Sequence, residues 1–423
     1  MREDFLHYVW KYNAFKISGL LTSEGENIFI SNLGQHNFNS GPDFFGAKIQ
    51  IGEQLWAGNV EIHLKSSDWY LHGHEKDKAY DNVILHVVWE DDAQVFRRDN
   101  TIIPTLELKN IVDVELLNNY KRLFNSKSWI NCEDDFKDVD DFILNNWLDR
   151  LFIERLERKS TEIEGLLEDS NYNWEAVLFK MLFKNFGLKI NGESMMSIAN
   201  KLDFTIVRKV SSNKIDLEAL LFGMSGLLEE DLEIEYYTQL REQYKFLSRK
   251  FNLSNEGIIP LRFFRLRPIN FPTIRLAQLS GLYSKETALF SKIISAESIE
   301  NIYDLFKVEV NEFWQTHYTF SKISKHQPKN ISKSFIDLIL INTIIPLKFA
   351  YNKAQGVTDH DKLLNIIRDL KIESNKIVDR FLSLKDIKKS TLASQSLLQL
   401  KNEYCDKNKC LECAVGNSLI IKK

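Results

Sequence analysis

Val60, Ile62 and Leu64 alternate strictly with Glu61, His63 and Lys65. Period-two alternation marks a half-buried strand, and it sets the three polar side chains on one face. Just upstream, Ala47, Ile49 and Ile51 alternate with Lys48 and Gln50, and Gly52-Glu53-Gln54 turns that strand into the next. Ile28-Phe29-Ile30 predicts an earlier strand, followed by a turn-rich stretch over 32–40. Glu3 to Phe15, with Phe5, Val9, Trp10 and Tyr12 on an apolar side, predicts an opening helix. Ser66-Ser67-Asp68 is a helix-start signal, with a short helix expected over 70–80. Residues 83–89 are apolar on both faces except at His86, the pattern of a central strand covered on both sides. A hairpin turning at Asp99-Asn100 is expected between Val95-Phe96 and Ile102-Ile103.

From about residue 138 the period changes. Phe142, Trp147, Leu148, Leu151, Phe152 and Leu156 recur at helical spacing, and similar patterns continue through 174–186, 217–228, 284–294 and 333–345. The expected architecture is an α/β N-terminal domain with a mixed central sheet over 1–135, then a mainly α-helical domain over 136–400, then a Cys-rich tail over 401–423. The apolar stretch 335–351 is interrupted by Asp337, Asn342 and Pro346, which reads as a buried helix rather than a membrane span. The charged start, Met1-Arg2-Glu3-Asp4, lacks the apolar core of a signal peptide, so the cytoplasm is the expected compartment and no membrane partner is expected.

Charge changes the picture only when it is divided. The net charge of −4 argues against a strongly basic coat for nucleic acid. Residues 1–135, however, hold 13 Lys and Arg against 21 Asp and Glu, whereas 241–275 hold eight basic residues and two acidic ones, Glu242 and Glu256. The acidic part therefore carries the candidate cation site and the later segment the candidate anion-binding residues.

In the acidic part, Gly41-Pro42-Asp43-Phe44 precedes one strand and Glu61-Ile62-His63 lies on the next. A carboxylate on each of two neighbouring strands suits a hard divalent cation held against a phosphate. The order helix, strand, Pro-Asp, strand, acid-bearing strand, helix and strand resembles the PD-(D/E)xK nuclease core, the restriction-endonuclease-like fold, over about residues 1–110. Through Gly-Pro-Asp-Phe, Gly-Asn-Val-Glu-Ile-His and Ser-Ser-Asp-Trp, the whole chain also resembles a bacterial family of unknown function. The nuclease resemblance implies that Asp43 and Glu61 ligate Mg²⁺ or Mn²⁺, which would polarise the scissile phosphate and acidify a bound water. The superfamily's lysine falls at His63, a departure. Lys65, one strand repeat further along the same face, could supply the ammonium, or His63 could act as a general base or take a softer metal. Lys78 and Tyr80, on the following helix, could reach the phosphate. His72, His74 and His86 lie near in sequence, and imidazoles together suit zinc or iron. The bland reading of this strand is a polar solvent face, and of His86 a hydrogen-bonded core residue.

Two further groups carry candidate chemistry. Cys405, Cys410 and Cys413 cluster near the C-terminus, and Cys132 is the remaining cysteine. Together they could enclose Zn²⁺ or a [4Fe–4S] cluster. A distant cysteine joining a C-terminal trio is similar in layout to the iron–sulfur staple of some PD-(D/E)xK helicase–nucleases. Arg262, Arg265 and Arg267 alternate with Phe263, Phe264 and Leu266. Guanidinium groups grip phosphates and aromatic rings stack on unpaired bases, so this segment is the expected nucleic-acid contact, unless its arginines pair with acids of the helical domain. Three functions follow: a Mg²⁺- or Mn²⁺-dependent nuclease, a nuclease fold that binds nucleic acid without turnover, or a histidine-containing metal hydrolase of a small substrate.

Overall fold

A computed structural model describes residues 1–357, 361–372 and 375–422. The chain divides into two compact units. The first is Met1–Leu148 with Lys376–Ile387 and Leu397–Lys423, and the second is Asp149–Asn375 with Lys388–Ser396. The C-terminal tail thus belongs to the same unit as the N-terminal sheet.

The first unit opens with helix α1 (Glu3–Lys11), which buries Phe5, Leu6, Tyr8, Val9 and Trp10. It stops short of the expected Phe15 because Asn13 takes a left-handed conformation, φ 53°, and Tyr12 is left exposed. The strands are β1 (Leu20–Leu21), β2 (Asn27–Asn32), β3 (Gln35–His36), β4 (Phe44–Ile51), β5 (Gln54–Lys65), β6 (Val83–Glu90) and β7 (Thr105–Glu107). They form one mixed sheet in the order β1-β2-β4-β5-β6-β7, with β3 pairing on β4. Pairing is antiparallel from β1 to β5 and parallel from β5 through β6 to β7. β6 lies inside the sheet between β5 and the edge strand β7, and Val83 to Val88 are all buried, His86 included. The expected hairpin is a single bridge, Phe96 with Ile102, turned by Asn100 at φ 64°.

Between β5 and β6 the sequence suggests one helix over 70–80, and the chain instead makes three short turns. A four-residue helix α2 (Asp68–Leu71) is followed by 3-10 turns at His74–Lys76 and Lys78–Tyr80. Gly73, at φ 74°, ends the first, and the Asp77 carboxylate caps the last by accepting the Ala79 N–H.

The second unit is helical. Helices α3 (Val114–Phe124) and the start of α4 (Asp141–Glu168) lie in sequence before it. Its core includes α5 (Trp174–Phe186) and α6 (Leu188–Lys201), with the Lys214–Met224 helix buried from Leu217 onward and the Pro272–Lys285 helix buried from Pro272 to Tyr283. The stretch Lys333–Ala354 is the one helix among the described residues long and apolar enough to cross a membrane, and 78% of its most apolar window is buried. Its polar interruptions are absorbed locally. Asp337 accepts from the Tyr303 hydroxyl, Asn342 accepts from Arg155, and a π-turn (Leu340–Ile344) leads into Pro346 at the head of the next helical segment.

Candidate metal centre

The site begins with an irregularity in strand pairing. Phe44 pairs with Val60 but Ala47 pairs with Gly58, so β4 carries one extra residue against β5. Gly46 takes it up at φ 70°, a conformation open to glycine. This bulge sets Asp43, just before β4, beside Glu61 of β5. The two acids are held by backbone N–H groups beside one another: the Asp43 N–H donates to Glu61 Oε2 (3.1 Å) and the Ile62 N–H, next to Glu61, donates to Asp43 Oδ2 (2.9 Å).

The Glu61–His63 face of β5 does not face solvent, contrary to the bland reading of the strand. Glu61 is 5% exposed and His63 1%. Burial pushes the Glu61 carboxyl above its ordinary range, with His74 working against it and Asp43 adding to it. Four imidazoles gather here. His63 Nδ1 meets His86 Nε2 at 2.8 Å, and His63 Nε2 meets His72 Nδ1 at 3.1 Å. His74 Nε2 lies 3.3 Å and His63 Nε2 3.6 Å from Glu61 Oε1. Burial first, then the neighbouring imidazoles, holds His63 down to about 2 and His86 down to about 3, so both rings are neutral at physiological pH. The Tyr80 ring stacks on His74 at 3.8 Å, and burial pushes its hydroxyl up to about 12.

Entry to this histidine-bearing turn is held by a polar knot. The buried Ser66 hydroxyl accepts from the Asp92 and Ala93 N–H groups, and Ser67 donates to Asp92 from both its N–H and its hydroxyl. Lys65 joins that knot: its ammonium lies 3.6 Å from Asp92 and its side chain is 54% exposed. Its ion pair is with Asp92 rather than with Asp43 or Glu61. Lys78 is exposed in its 3-10 turn.

Two residues with no place in the sequence-based expectation complete the centre. His7 Nε2 lies 3.3 Å from Asp43 Oδ2. Burial works against charge on His7, but Asp43, Glu3 and Glu61 outweigh it and raise its pKa. Glu3 is raised to about 7, chiefly by burial, with His7 opposing and Asp43, Glu61 and Asp68 adding. The signal was there: Glu3 and His7 are one helical turn apart on α1.

Sequence comparison with known proteins adds the family. The profile described as "Protein of unknown function (DUF2851)" matches residues 3–376. The chain belongs to that family. No curated protein matches the chain, and no solved structure does. The matched span contains Asp43, Glu61 and the four imidazoles, together with Cys132, and ends before Cys405.

The four cysteines, also in the first unit, line one pocket with Leu123, Ile130 and Phe136. All are free thiols. Cys405 ends a π-turn (Leu400–Cys405), and Cys413 is the N-cap of the C-terminal helix (Ala414–Ile421). Burial raises the Cys413 thiol to about 11, with the Gly416 and Val415 N–H groups and the Trp147 side chain working against it. Asn131 Nδ2 donates to Cys410 Sγ at 3.4 Å. Gly416 has no room for a side chain, since an added Cβ would come within 2.1 Å of the Cys410 carbonyl.

In the second unit, the segment 261–267 is irregular and Arg262, Arg265 and Arg267 are exposed. Arg265 has φ 62°, and its guanidinium lies over the exposed Phe264 ring at 5.2 Å. Asn191 pins the Arg262 backbone with two hydrogen bonds. Among the described residues, none of the three arginines forms an ion pair with an acidic side chain.

Proposed function

We propose that this protein is a metal-dependent nuclease, hydrolysing phosphodiester bonds of DNA or RNA with Mg²⁺ or Mn²⁺ held by Asp43 and Glu61. One observation carries the reading. Two carboxylates, one just before β4 and one on β5, are held side by side, Glu61 accepting from the Asp43 N–H and Asp43 from the Ile62 N–H, so like charges are kept together where a shared cation would relieve their repulsion. The element order supports it: α1, then β2, β4 and β5 antiparallel, then α2, then β6 parallel to β5. That is the order expected of the PD-(D/E)xK core, an argument by analogy of fold.

When bound, the cation would polarise the phosphate and acidify its water. The chain's own groups divide the remaining work. Asp43 and Glu61 fix the cation's position against the sheet. His7, held in its charged form more readily than a free imidazole, brings to Asp43 the positive charge that Lys65, turned to Asp92, does not. It is placed to orient a phosphate oxygen or move a proton. The unpaired Arg262, Arg265 and Arg267 are proposed to contact the nucleic-acid backbone.

The test is incubation of the whole chain with single- and double-stranded DNA and RNA in Mg²⁺ or Mn²⁺. Asp43→Ala and Glu61→Ala should each lower cleavage by at least about 100-fold, since even second-shell partners of a metal cost 10–100-fold. Cleavage equal to wild type in both variants would discard the nuclease reading.

For Cys132, Cys405, Cys410 and Cys413 we propose a structural metal clasp, zinc or [4Fe–4S]. The side-chain N–H that Asn131 donates to Cys410 Sγ suits a thiolate. Zinc, or iron with sulfide, in the purified protein and lost from Cys410→Ser is the expected result, and neither metal would remove the clasp.

A further inference from the structure

We propose that His63, His72 and His74, with Glu61 Oε1 as fourth donor, form a binding site for a divalent first-row transition ion, zinc-like in its preference, distinct from the cation between Asp43 and Glu61. The three histidine donors lie within 4.8 Å of one another. Glu61 Oε1 is 3.3 Å from His74 Nε2 and 3.6 Å from His63 Nε2, so the carboxylate already leans toward the same point. Three imidazoles and one carboxylate are the donors that zinc, iron and manganese take and that Mg²⁺ does not favour.

The surroundings are those of a ligand set rather than of a chance cluster. Imidazoles packed against one another repel when charged and leave nitrogens without partners when neutral. Here the buried His74 Nε2 sits 3.3 Å from Glu61 Oε1 without an aligned hydrogen bond, a poor fit for a proton that an ion at this point would improve. His63 has the orienting contact that metal-bound histidines carry. In the tautomer with its proton on Nδ1, it donates to His86 Nε2 at 2.8 Å and leaves the Nε2 lone pair, 3.1 Å from His72 Nδ1, available to an ion shared with His72. His74 is fixed by the Tyr80 ring stacked at 3.8 Å and by Trp69 edge-on at 5.3 Å. His72 is exposed, which gives the site its open side. The remaining oxygen, Glu61 Oε2, faces the Asp43 N–H, so the one carboxylate would border both cations, as in two-metal hydrolases.

The inference goes beyond the nuclease reading and is tested without turnover. The full chain carrying Cys410→Ser and Cys413→Ser, stripped with chelator, is titrated with Zn²⁺ by calorimetry and with Co²⁺ by visible absorption, with and without His72→Ala. One equivalent of Zn²⁺ should bind, and a cobalt spectrum without thiolate charge-transfer bands should appear. His72→Ala should weaken binding at least about tenfold. Because His72 is exposed, that variant should keep the wild-type far-ultraviolet dichroism. No zinc or cobalt binding, or equal binding in His72→Ala, would overturn the site. If the cysteine variants fail to fold, bound zinc per chain is compared in the wild-type background: loss of one equivalent in His72→Ala supports the site and unchanged stoichiometry overturns it. A chain that binds zinc here but cleaves no nucleic acid would leave this site standing and the nuclease reading discarded.

Discussion

Glu61 and His63 stand two residues apart on β5, and burial acts on them in opposite senses. It raises the carboxyl and lowers the imidazole, so each is driven toward its neutral form. The same physics operates on Glu218 in the helical unit, where it can be measured without metal. Glu218 is fully buried and accepts from the Tyr236 hydroxyl at 2.6 Å. Burial raises its pKa from 4.5 to about 7. The folded state therefore binds more protons than the unfolded state between those values, and stability falls as pH rises through that window. Glu218→Gln should match wild type below pH 4.5 and exceed it above pH 7 by up to about 3 kcal/mol, from 1.36 kcal/mol per unit. Urea midpoints at both ends check this. A constant difference across the range would mean that Glu218 is not the titrating group.

At the scale of elements, short irregular segments place the chemistry. The loop from β5 to the histidines depends on the Ser66 hydroxyl, which satisfies two N–H groups at a position with no exposure. Ser66→Ala should cost about 1–3 kcal/mol by leaving them unpaired. Zn²⁺ affinity at His72 and His74 should fall with it, read by denaturation and calorimetry on one preparation. In the tail, Gly416→Ala would force a Cβ against the Cys410 carbonyl. It should cost about 1–3 kcal/mol through overpacking and lower the metal content of the cysteine pocket. Full metal content in Gly416→Ala would show that the tail can shift while keeping the cysteines in place. The strands were legible because a period of two needs no distant partner. The turns over 66–80 were not, because Gly73's left-handed conformation and the Asp77 cap divide a stretch whose composition suits a helix. The bulge at Gly46 was equally hidden, since it exists only as a mismatch between two strands.

At the scale of the molecule, the first unit is built from both ends of the chain. Asn119 donates to the Ile420 and Lys422 carbonyls, holding the C-terminal helix to α3. Arg380 pairs with Glu133 and lies over Trp129 at 4.6 Å, beside Cys132 in sequence. The proposed nucleic-acid contact of the second unit makes its own prediction. Arg265→Ala with Arg267→Ala should weaken binding to single strands and reduce the salt slope by about 1.4, from roughly 0.7 for each phosphate no longer neutralised. An unchanged slope, followed by fluorescence anisotropy from low to moderate salt, would return these arginines to a structural role.

The sequence alone determined the α/β start, the helical continuation, the strands and the alternation of their side chains, and the residue types able to hold cations. Those follow from local periodicity and side-chain chemistry, which are properties of the chain itself. Only the folded structure decided that Asp43 lies against Glu61, that Lys65 turns away to Asp92, that His7 and Glu3 join from α1, and that His63, His72 and His74 meet. These depend on strand register, on a single-residue bulge and on a loop locked by buried hydrogen bonds. Each brings together residues that no single helix or strand carries, and no periodic pattern records it.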